Sequence, residues 1–380
     1  MDNTPRTTKV ASSGAGRSPV WKPVALLANN WPIAVGIALA VALQWTLPSA
    51  FGRQSPYYVK IGLDIGIAIV LAVSLNIVNG FTGQFSIGHA GFMTLGGYTA
   101  GAVTYYCSLW WWGSAARHGG FLGAGEWLFA ASCLLGGLLA AGAGYVVGLP
   151  SLRLRGDYLA IVTLGFGEIV RVLLQQTGPI IDDTDAFRNA SLSAFVPPPV
   201  GGALGFSGIP KYTNLFWVYL LVAATLIAAF RIKRSSLGRA LVSIREDEIA
   251  AQAMGVNIAR HKVLAFVLAA FIAGAAGGLF AHESGVNIRP VDAGFLRSFD
   301  YIIMVVLGGR GSISGVTLSA AVLTVLPEFL REFDVEQYRM ILYALLLVVM
   351  MIVRPQGLFG IHEIWDYWPF RRSPKGTRPS

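Results

Sequence analysis

The chain has 380 residues, 54% of them hydrophobic and 13% charged, with a mean hydropathy of +0.58. This balance excludes an ordinary soluble globular domain and points to an all-α polytopic membrane protein. The net charge of +9 does not indicate nucleic-acid binding, because the basic residues gather in loops and tails, where the positive-inside rule accounts for them.

Residues 1–29 are rich in Ser, Gly, Pro and Thr and read as a disordered cytosolic tail. No cleavable signal is expected, since no small-residue cleavage site follows a short apolar core and Trp31 begins a full span. The runs 31–47, 59–78, 127–149, 215–230, 263–280 and 340–353 approach or reach the roughly 20 residues needed to cross hydrocarbon. Weaker runs lie at 92–106, 158–174, 301–307 and 316–330. Together they predict about ten transmembrane or half-transmembrane helices in a membrane domain over 30–360, with the 301–330 region a broken pair or a re-entrant element.

Charge sets the expected orientation. Arg6, Lys9, Arg17 and Lys22 precede the first run, Arg153 and Arg155 occupy a short loop, and Lys233, Arg234, Arg239 and Arg245 a longer one at 232–261. Arg371, Arg372, Lys375 and Arg378 close a basic, aromatic tail at 361–380, whose Trp365 and Trp368 read as an anchor in membrane lipid. Placing all four groups in the cytoplasm requires an even number of spans and puts both termini inside. The loop 175–212, with Asp182, Asp183 and Asp185, then falls outside. Cys133 lies deep in an apolar run, so no disulfide with Cys107 is expected.

The most informative segment is 76–91, which carries Asn76, Asn79, Gln84, Ser86 and His89 among several glycines between two apolar runs. Hydrocarbon offers such side chains no partners, so the segment must face protein or a water-filled cavity. A polar, glycine-rich interruption at membrane depth is the sequence mark of a translocation pathway. His89 is open to three readings: a packing imidazole, a pathway group or a proton site. A fainter echo, Gly309-Arg310-Gly311-Ser312-Ile313-Ser314-Gly315, interrupts the second half as Gly83-Gln84-Phe85-Ser86-Ile87-Gly88 interrupts the first. The G-x-x-x-G pairs at Gly97/Gly101, Gly144/Gly148, Gly274/Gly278 and Gly311/Gly315 predict close helix packing. Glu168 and Arg171 stand three apart on one predicted helix, where they can pair.

In the 232–261 loop, Ser243 and Glu246 fit an S-x-x-E capping box, and Glu246, Asp247 and Glu248 load the first turn of the helix it would start. That helix would stop at Gly255 and show a small apolar face of Ile249, Ala250, Ala253 and Met254. It reads either as a docking knob or as a linker helix lying on the surface. No phosphate-cradling G-x-x-x-x-G-K-[ST], zinc-ligand spacing or Ser–His–Asp arrangement occurs.

Four blocks carry a resemblance to a known family: residues 75–92, residues 152–171, Gly238-Arg239-Ala240 with Ile244–Ala251, and Leu307–Ser312 with Arg354-Pro355-Gln356-Gly357-Leu358. Over about 58–360 the chain resembles LivM-type permease subunits of bacterial branched-chain amino-acid ABC importers. The resemblance implies a multi-pass protein of the bacterial inner membrane that pairs with a second, LivH-like permease and with two ABC ATPase subunits. It also implies a periplasmic amino-acid-binding protein as the source of solute. ATP would be bound by the partners, leaving this subunit without a cofactor and without enzyme activity of its own. The third block resembles the segment that docks into the ATPase, which assigns Ser243, Glu246, Asp247, Glu248, Ala250, Ala251 and Gly255 to coupling. Asn79, Gln84, Ser86, His89 and Glu168 are the expected solute-pathway residues. Related permeases for urea, short amides or another small solute fit the same blocks. A proton-coupled transporter or intramembrane enzyme using Glu168 and His89 is the remaining alternative. The chain departs from the family pattern in an acidic, proline-rich insertion at 179–200, which falls where the soluble partner would dock.

Overall fold

The computed structural model describes residues 35–46, 55–151, 158–188 and 196–332, with scattered positions between 338 and 364. The 1–29 tail, Arg153, Arg155, half of the 340–353 run and everything after residue 364 lie outside the described residues.

Helix α1 covers Val35–Thr46. Helix α2 (Ser55–Asn76) continues into a π turn at Ile77–Phe81. Then come α3 (His89–Trp112), α4 (Ala124–Ser151), α5 (Tyr158–Gln175), the short α6 (Thr184–Arg188) and α7 (Leu215–Arg234). Helices α8 (Ser236–Glu246) and α9 (Glu248–Ala253) precede α10 (Ile258–Ala281), α11 (Phe295–Gly308) and α12 (Ile313–Glu332). Among the described residues only isolated bridges occur, at Gly178–Pro199 and Phe206–Ile288, so the fold is all-α as expected. Among the described residues, six helices are long and apolar enough to cross a membrane: α2 with its π turn, α4, α5, α7, α10 and α12. Of the four weaker expected runs, 158–174 and 316–330 are thus the full-length α5 and α12, and the other two appear as α3 and as α11, whose 14 residues rise only about 21 Å. That is a half-span, as the broken 301–330 pattern predicts.

Helices α3, α4 and α10 form the tightest part of the bundle. A Cβ on Gly96 would strike the backbone of Gly274, one on Gly136 the carbonyl of Gly96, and one on Gly277 the carbonyl of Met93. Glycine therefore lets three backbones touch where any side chain would hold them apart. Ala100 and Cys133 pack on Gly278, which is why that cysteine is a buried, free thiol.

The bundle has two dissimilar ends. At one, α8 and α9 cross between α7 and α10. At the other, the 175–212 loop is bound to the end of α3. The Tyr105 hydroxyl donates to Asp182 at 2.7 Å, the Tyr106 hydroxyl to the Pro199 carbonyl, and the Thr184 hydroxyl to the Gly113 carbonyl at 3.1 Å. The described residues of the insertion thus pack as a cap on α3. Exposed Trp110, Trp111 and Trp127 surround this end, as aromatic residues do at a lipid–water boundary.

Replacing Gly277 by Val should destabilise the bundle strongly. Overpacking ordinarily costs about 1–3 kcal/mol, and here the obstacle is backbone. Gly142, which has open space around its Cβ position, should accept Ala with little change. Thermal melting of the detergent-solubilised protein compares the two. Equal melting points would contradict this account of the three-helix contact.

Candidate functional site

The two glycine-rich interruptions meet at the end that carries α8 and α9. After the π turn, residues 82–88 run without helix back into the bundle, so that His89 starts α3 beside Ser74 of α2 (Nε2 to Oγ, 2.8 Å). Freed backbone groups are satisfied by side chains. The Ser86 N–H donates to Asn79 Oδ1 (3.1 Å), that of Ile87 to Thr163 Oγ1 (3.0 Å) and that of Ala90 to Ser298 Oγ (3.1 Å). The second break, between α11 and α12, packs on the first. Gly311 N–H donates to Asn76 Oδ1 (3.0 Å), and Asn76 Nδ2 donates to the Ser312 carbonyl (3.2 Å). One asparagine therefore joins both interruptions. Gly309 and Gly311 have φ of 108° and 99°, a conformation that L side chains rarely adopt.

Three charged side chains fasten this junction from outside. Arg245 of α8 donates to the Gly80 carbonyl at 3.0 Å, and its stem lies on Gly83. Lys233, at the end of α7, donates to the Gly311 carbonyl at 2.8 Å and pairs with Glu363 at 2.5 Å. Glu363 also accepts from the N–H groups of Ile313 (3.1 Å) and Ser314 (2.9 Å), so it caps α12 at the positive end of the helix dipole. Burial alone would raise its carboxyl, but the donors from Lys233 and Ser314 prevail and hold it below the usual carboxylate range. The sequence reading placed Glu363 in the terminal tail. It is instead locked to the bundle.

The predicted capping box is corrected. Ser243 lies inside α8, with its hydroxyl on the Ala240 carbonyl (2.8 Å), and Glu246 ends α8 paired with Arg245 (2.6 Å). Asp247 caps α9 instead, accepting from Ile249 and Ala250 N–H at 2.8 and 3.0 Å. Its backbone is extended (φ −156°, ψ 113°), and its short carboxylate reaches the first free N–H groups directly. The expected single helix is therefore two, kinked at Asp247. Gly255 closes α9 with φ of 84°, the left-handed geometry expected there. Ala251 is buried and Glu248 is paired with Lys262 of α10. Ile249 and Met254 are 73% and 85% exposed, with Ala250 and Ala253 exposed beside them. This apolar tip, on a polar end of the molecule, has no partner within the described chain.

The five expected pathway residues do not converge. Asn79, Ser86 and His89 are buried in the chain's own packing. Gln84 lines a cavity of about 470 Å³ near the knob, with Arg245, Glu246, Glu248, Lys262 and Arg310. Glu168 pairs with Arg171 at 2.6 Å on α5, as the spacing predicts. Sequence reasoning missed the roles of Asn76, Arg245, Lys233 and Glu363. Arg245 was visible as one more positive loop charge and as a member of the third family-like block, and neither specified its contact with Gly80; its place on α8 beside the buried Leu241 and Ile244 does.

A larger cavity of about 570 Å³ opens at the opposite end between α2, α11, α12 and the loop after α10. Its mouth carries Lys60, Asp64, Arg297, Asp300 and Glu328, and its deeper wall Leu71, Met304 and Leu323. Lys60 and Asp64 pair at 3.2 Å. Glu283, just after α10, is fully buried with neither carboxylate oxygen hydrogen-bonded. Burial, and secondarily Asp64, push its carboxyl from the ordinary 4.5 up to about 8.

Glu363→Ala should lower the melting temperature by several degrees, because it uncaps α12 and strands Lys233; an unchanged melt would contradict the anchoring role. Glu283 gives a pH signature. With a raised folded-state pKa, its stabilising proton is fully retained below pH 4.5 and lost as pH rises through about 8. Glu283→Gln, always neutral, should match the parent in acid and melt higher above neutrality. Parallel melting curves across that range would exclude an ionisation cost at this position.

The chain matches the family model for the permease component of branched-chain amino-acid transport systems over residues 57–351. It is 37% identical over 342 residues to the high-affinity branched-chain amino acid transport system permease protein LivM of Salmonella typhimurium, covering 84% of this chain and 73% of that one. The corresponding LivM of Escherichia coli is 38% identical over the same coverage. The LivH permease of Salmonella typhimurium is 25% identical over 308 residues, 80% of this chain and 94% of that one. No solved structure matches. With six apolar helices of spanning length and a family match across its membrane domain, the chain belongs to the branched-chain amino-acid transport permease family, as a multi-pass membrane protein.

Proposed function

We propose that this chain is the membrane-spanning subunit of an ATP-driven, binding-protein-dependent importer of leucine, isoleucine and valine. It would lie in the bacterial inner membrane with both termini in the cytoplasm, so the α8–α9 end faces inward and the 175–212 loop outward. Its partners would be a second, LivH-like permease, two ABC ATPase subunits that bind the ATP, and a periplasmic amino-acid-binding protein. The chain itself would hold no cofactor.

The observation that carries this reading is the link from knob to break. Ile249 and Met254 project from α9, α9 is fixed to α10 through Glu248 and Lys262, and the adjoining α8 holds the Gly80 carbonyl through Arg245. A partner gripping the tip would pull on the interruption of α2, and through Asn76 on the interruption between α11 and α12. Ser243, Glu246, Asp247, Glu248, Ala250, Ala251 and Gly255 thus form or shape the coupling element. Asp247 sets its kink and Gly255 its end. Asn79, Ser86 and His89 act by holding the broken backbone in place, and Gln84 by lining the inner cavity.

Two substitutions separate docking from transmission. Ile249→Asp should abolish co-purification with the ATPase and, with it, uptake of leucine. Arg245→Ala should leave co-purification intact and lower uptake by about tenfold or more, a loss of roughly 1.4 kcal/mol in coupling. Normal uptake by both variants would remove the coupling assignment. Leucine accumulation that persists without any ATPase and collapses with a protonophore would overturn the importer reading itself.

A further inference from the structure

The cavity at the outer end has a division that the transport reading does not require. Its mouth is charged in both signs, with Lys60 and Arg297 against Asp64, Asp300 and Glu328. Its floor, one to two helical turns deeper along α2, α11 and α12, is made by Ile67, Leu71, Met304 and Leu323. Arg297 lines the space with its guanidinium over the Phe280 ring (5.3 Å), and its Nε is buried without a hydrogen-bond partner. An unsatisfied guanidinium nitrogen beside a cavity is costly unless something fills the vacant bond. A planar carboxylate is the group whose geometry suits it best. The volume is that of a small-molecule pocket, and it is open to solvent rather than sealed, as a transit site requires.

We propose that this cavity is a subsite for the amino-acid zwitterion: the solute's carboxylate meets Arg297, its ammonium meets the acidic side chains Asp64 and Asp300, and its aliphatic chain points inward to Leu71, Met304 and Leu323. The inference rests on the importer reading above and names the class of solute recognised at one place along that route. It assigns selection for the pairing of two opposite charges with an apolar tail, which neither a urea nor a short amide supplies. Glu283, buried close to Lys60, Asp64 and Arg297, has its carboxyl pushed up by burial and so adds little negative charge against Arg297, whose charged neighbours on the cavity wall are Asp292 and Asp300.

Cysteine protection tests this on the full-length chain in membrane vesicles from cells that express the whole transporter. In a Cys107→Ser, Cys133→Ala background, Thr324→Cys places a thiol on the cavity wall, and Asn287→Cys provides a second position should the first fail to react. Leucine should slow labelling by a membrane-impermeant maleimide several-fold. Isoamylamine, which lacks the carboxylate, and isocaproate, which lacks the ammonium, should protect far less at equal concentration. Adding Arg297→Gln should remove protection by leucine while the unprotected labelling rate stays the same. Equal protection by either single-charge analogue, or none by leucine at both positions, overturns the subsite. Uptake is measured separately on the same cells. Leucine transport without protection sinks the subsite and leaves the importer reading standing; protection by leucine without its transport supports the subsite and sinks the importer reading.

Discussion

Everything at the α8–α9 end depends on one constraint: backbone that leaves the helix inside an apolar bundle must find a partner for each freed N–H and C=O. A buried unpaired amide is expensive in any setting, and hydrocarbon offers no water to relieve it. The chain meets this with a small set of short polar side chains. Asn79, Thr163 and Ser298 take the N–H groups of residues 86, 87 and 90, and Asn76 serves the second interruption from the first. The polar residues of the 76–91 segment are therefore the condition under which a break can exist at that depth. Without them the backbone freed at 82–88 would lack partners, and the two interruptions would lose the bonds by which they face each other.

The glycine-lined crossing of the three helices α3, α4 and α10 supplies the opposite quality. Backbones in contact leave no room for side-chain rearrangement, so this part of the bundle is suited to staying fixed. The junction next to it is held by individual hydrogen bonds between glycine-rich segments and can exchange them. Because α10 runs from its Lys262 contact with α9 up into that crossing, the helix to which α9 is fastened also belongs to the rigid body. Relative movement is then concentrated where α8 meets Gly80 and Gly83, and where Lys233 and Glu363 meet the start of α12.

How much of this was legible in the sequence differs by the range of the interaction. The apolar runs that fall within the described residues, the two glycine-rich breaks, the close packing at Gly97, Gly144, Gly274 and Gly278 and the Glu168–Arg171 pair are local patterns that the structure carries, whereas Gly311 lies in the second break and Gly101 against the side chains of Phe206 and Ile209. The single capping helix failed because Ser243 and Asp247 both offer a cap within one turn. The choice between them is made by α8 continuing past Ser243 to bury Leu241 and Ile244, which no capping rule contains. Arg245 on Gly80, Lys233 on Gly311 and Glu363 on Lys233 join positions 165, 78 and 130 residues apart. Nothing in the local composition of those segments specifies their meeting. The five expected pathway residues lie apart in the fold for a related reason. Polarity inside an apolar run shows that a residue needs a partner, but not whether that partner is solute or the chain itself. Here Asn79 and His89 found the chain, while the charges on the outer cavity, scattered over α2, α11 and α12, had no shared sequence neighbourhood to announce them.

The strength of the junction sets what can move it. A hydrogen bond in a folded protein contributes a net of about 0.5–1.5 kcal/mol, and somewhat more when one partner is charged. The contacts made by Arg245, Lys233 and Asn76 across the two breaks are few, so the arrangement is held by a free energy of the same order as protein partners supply when they bind one conformation in preference to another. Had the breaks been closed by packed apolar side chains like the α3–α4–α10 crossing, no docking event at Ile249 and Met254 could compete. Polar closure keeps the interruption satisfied at rest and keeps its opening within reach of a grip on α9. The chemistry that permits a break in hydrocarbon also keeps that break movable.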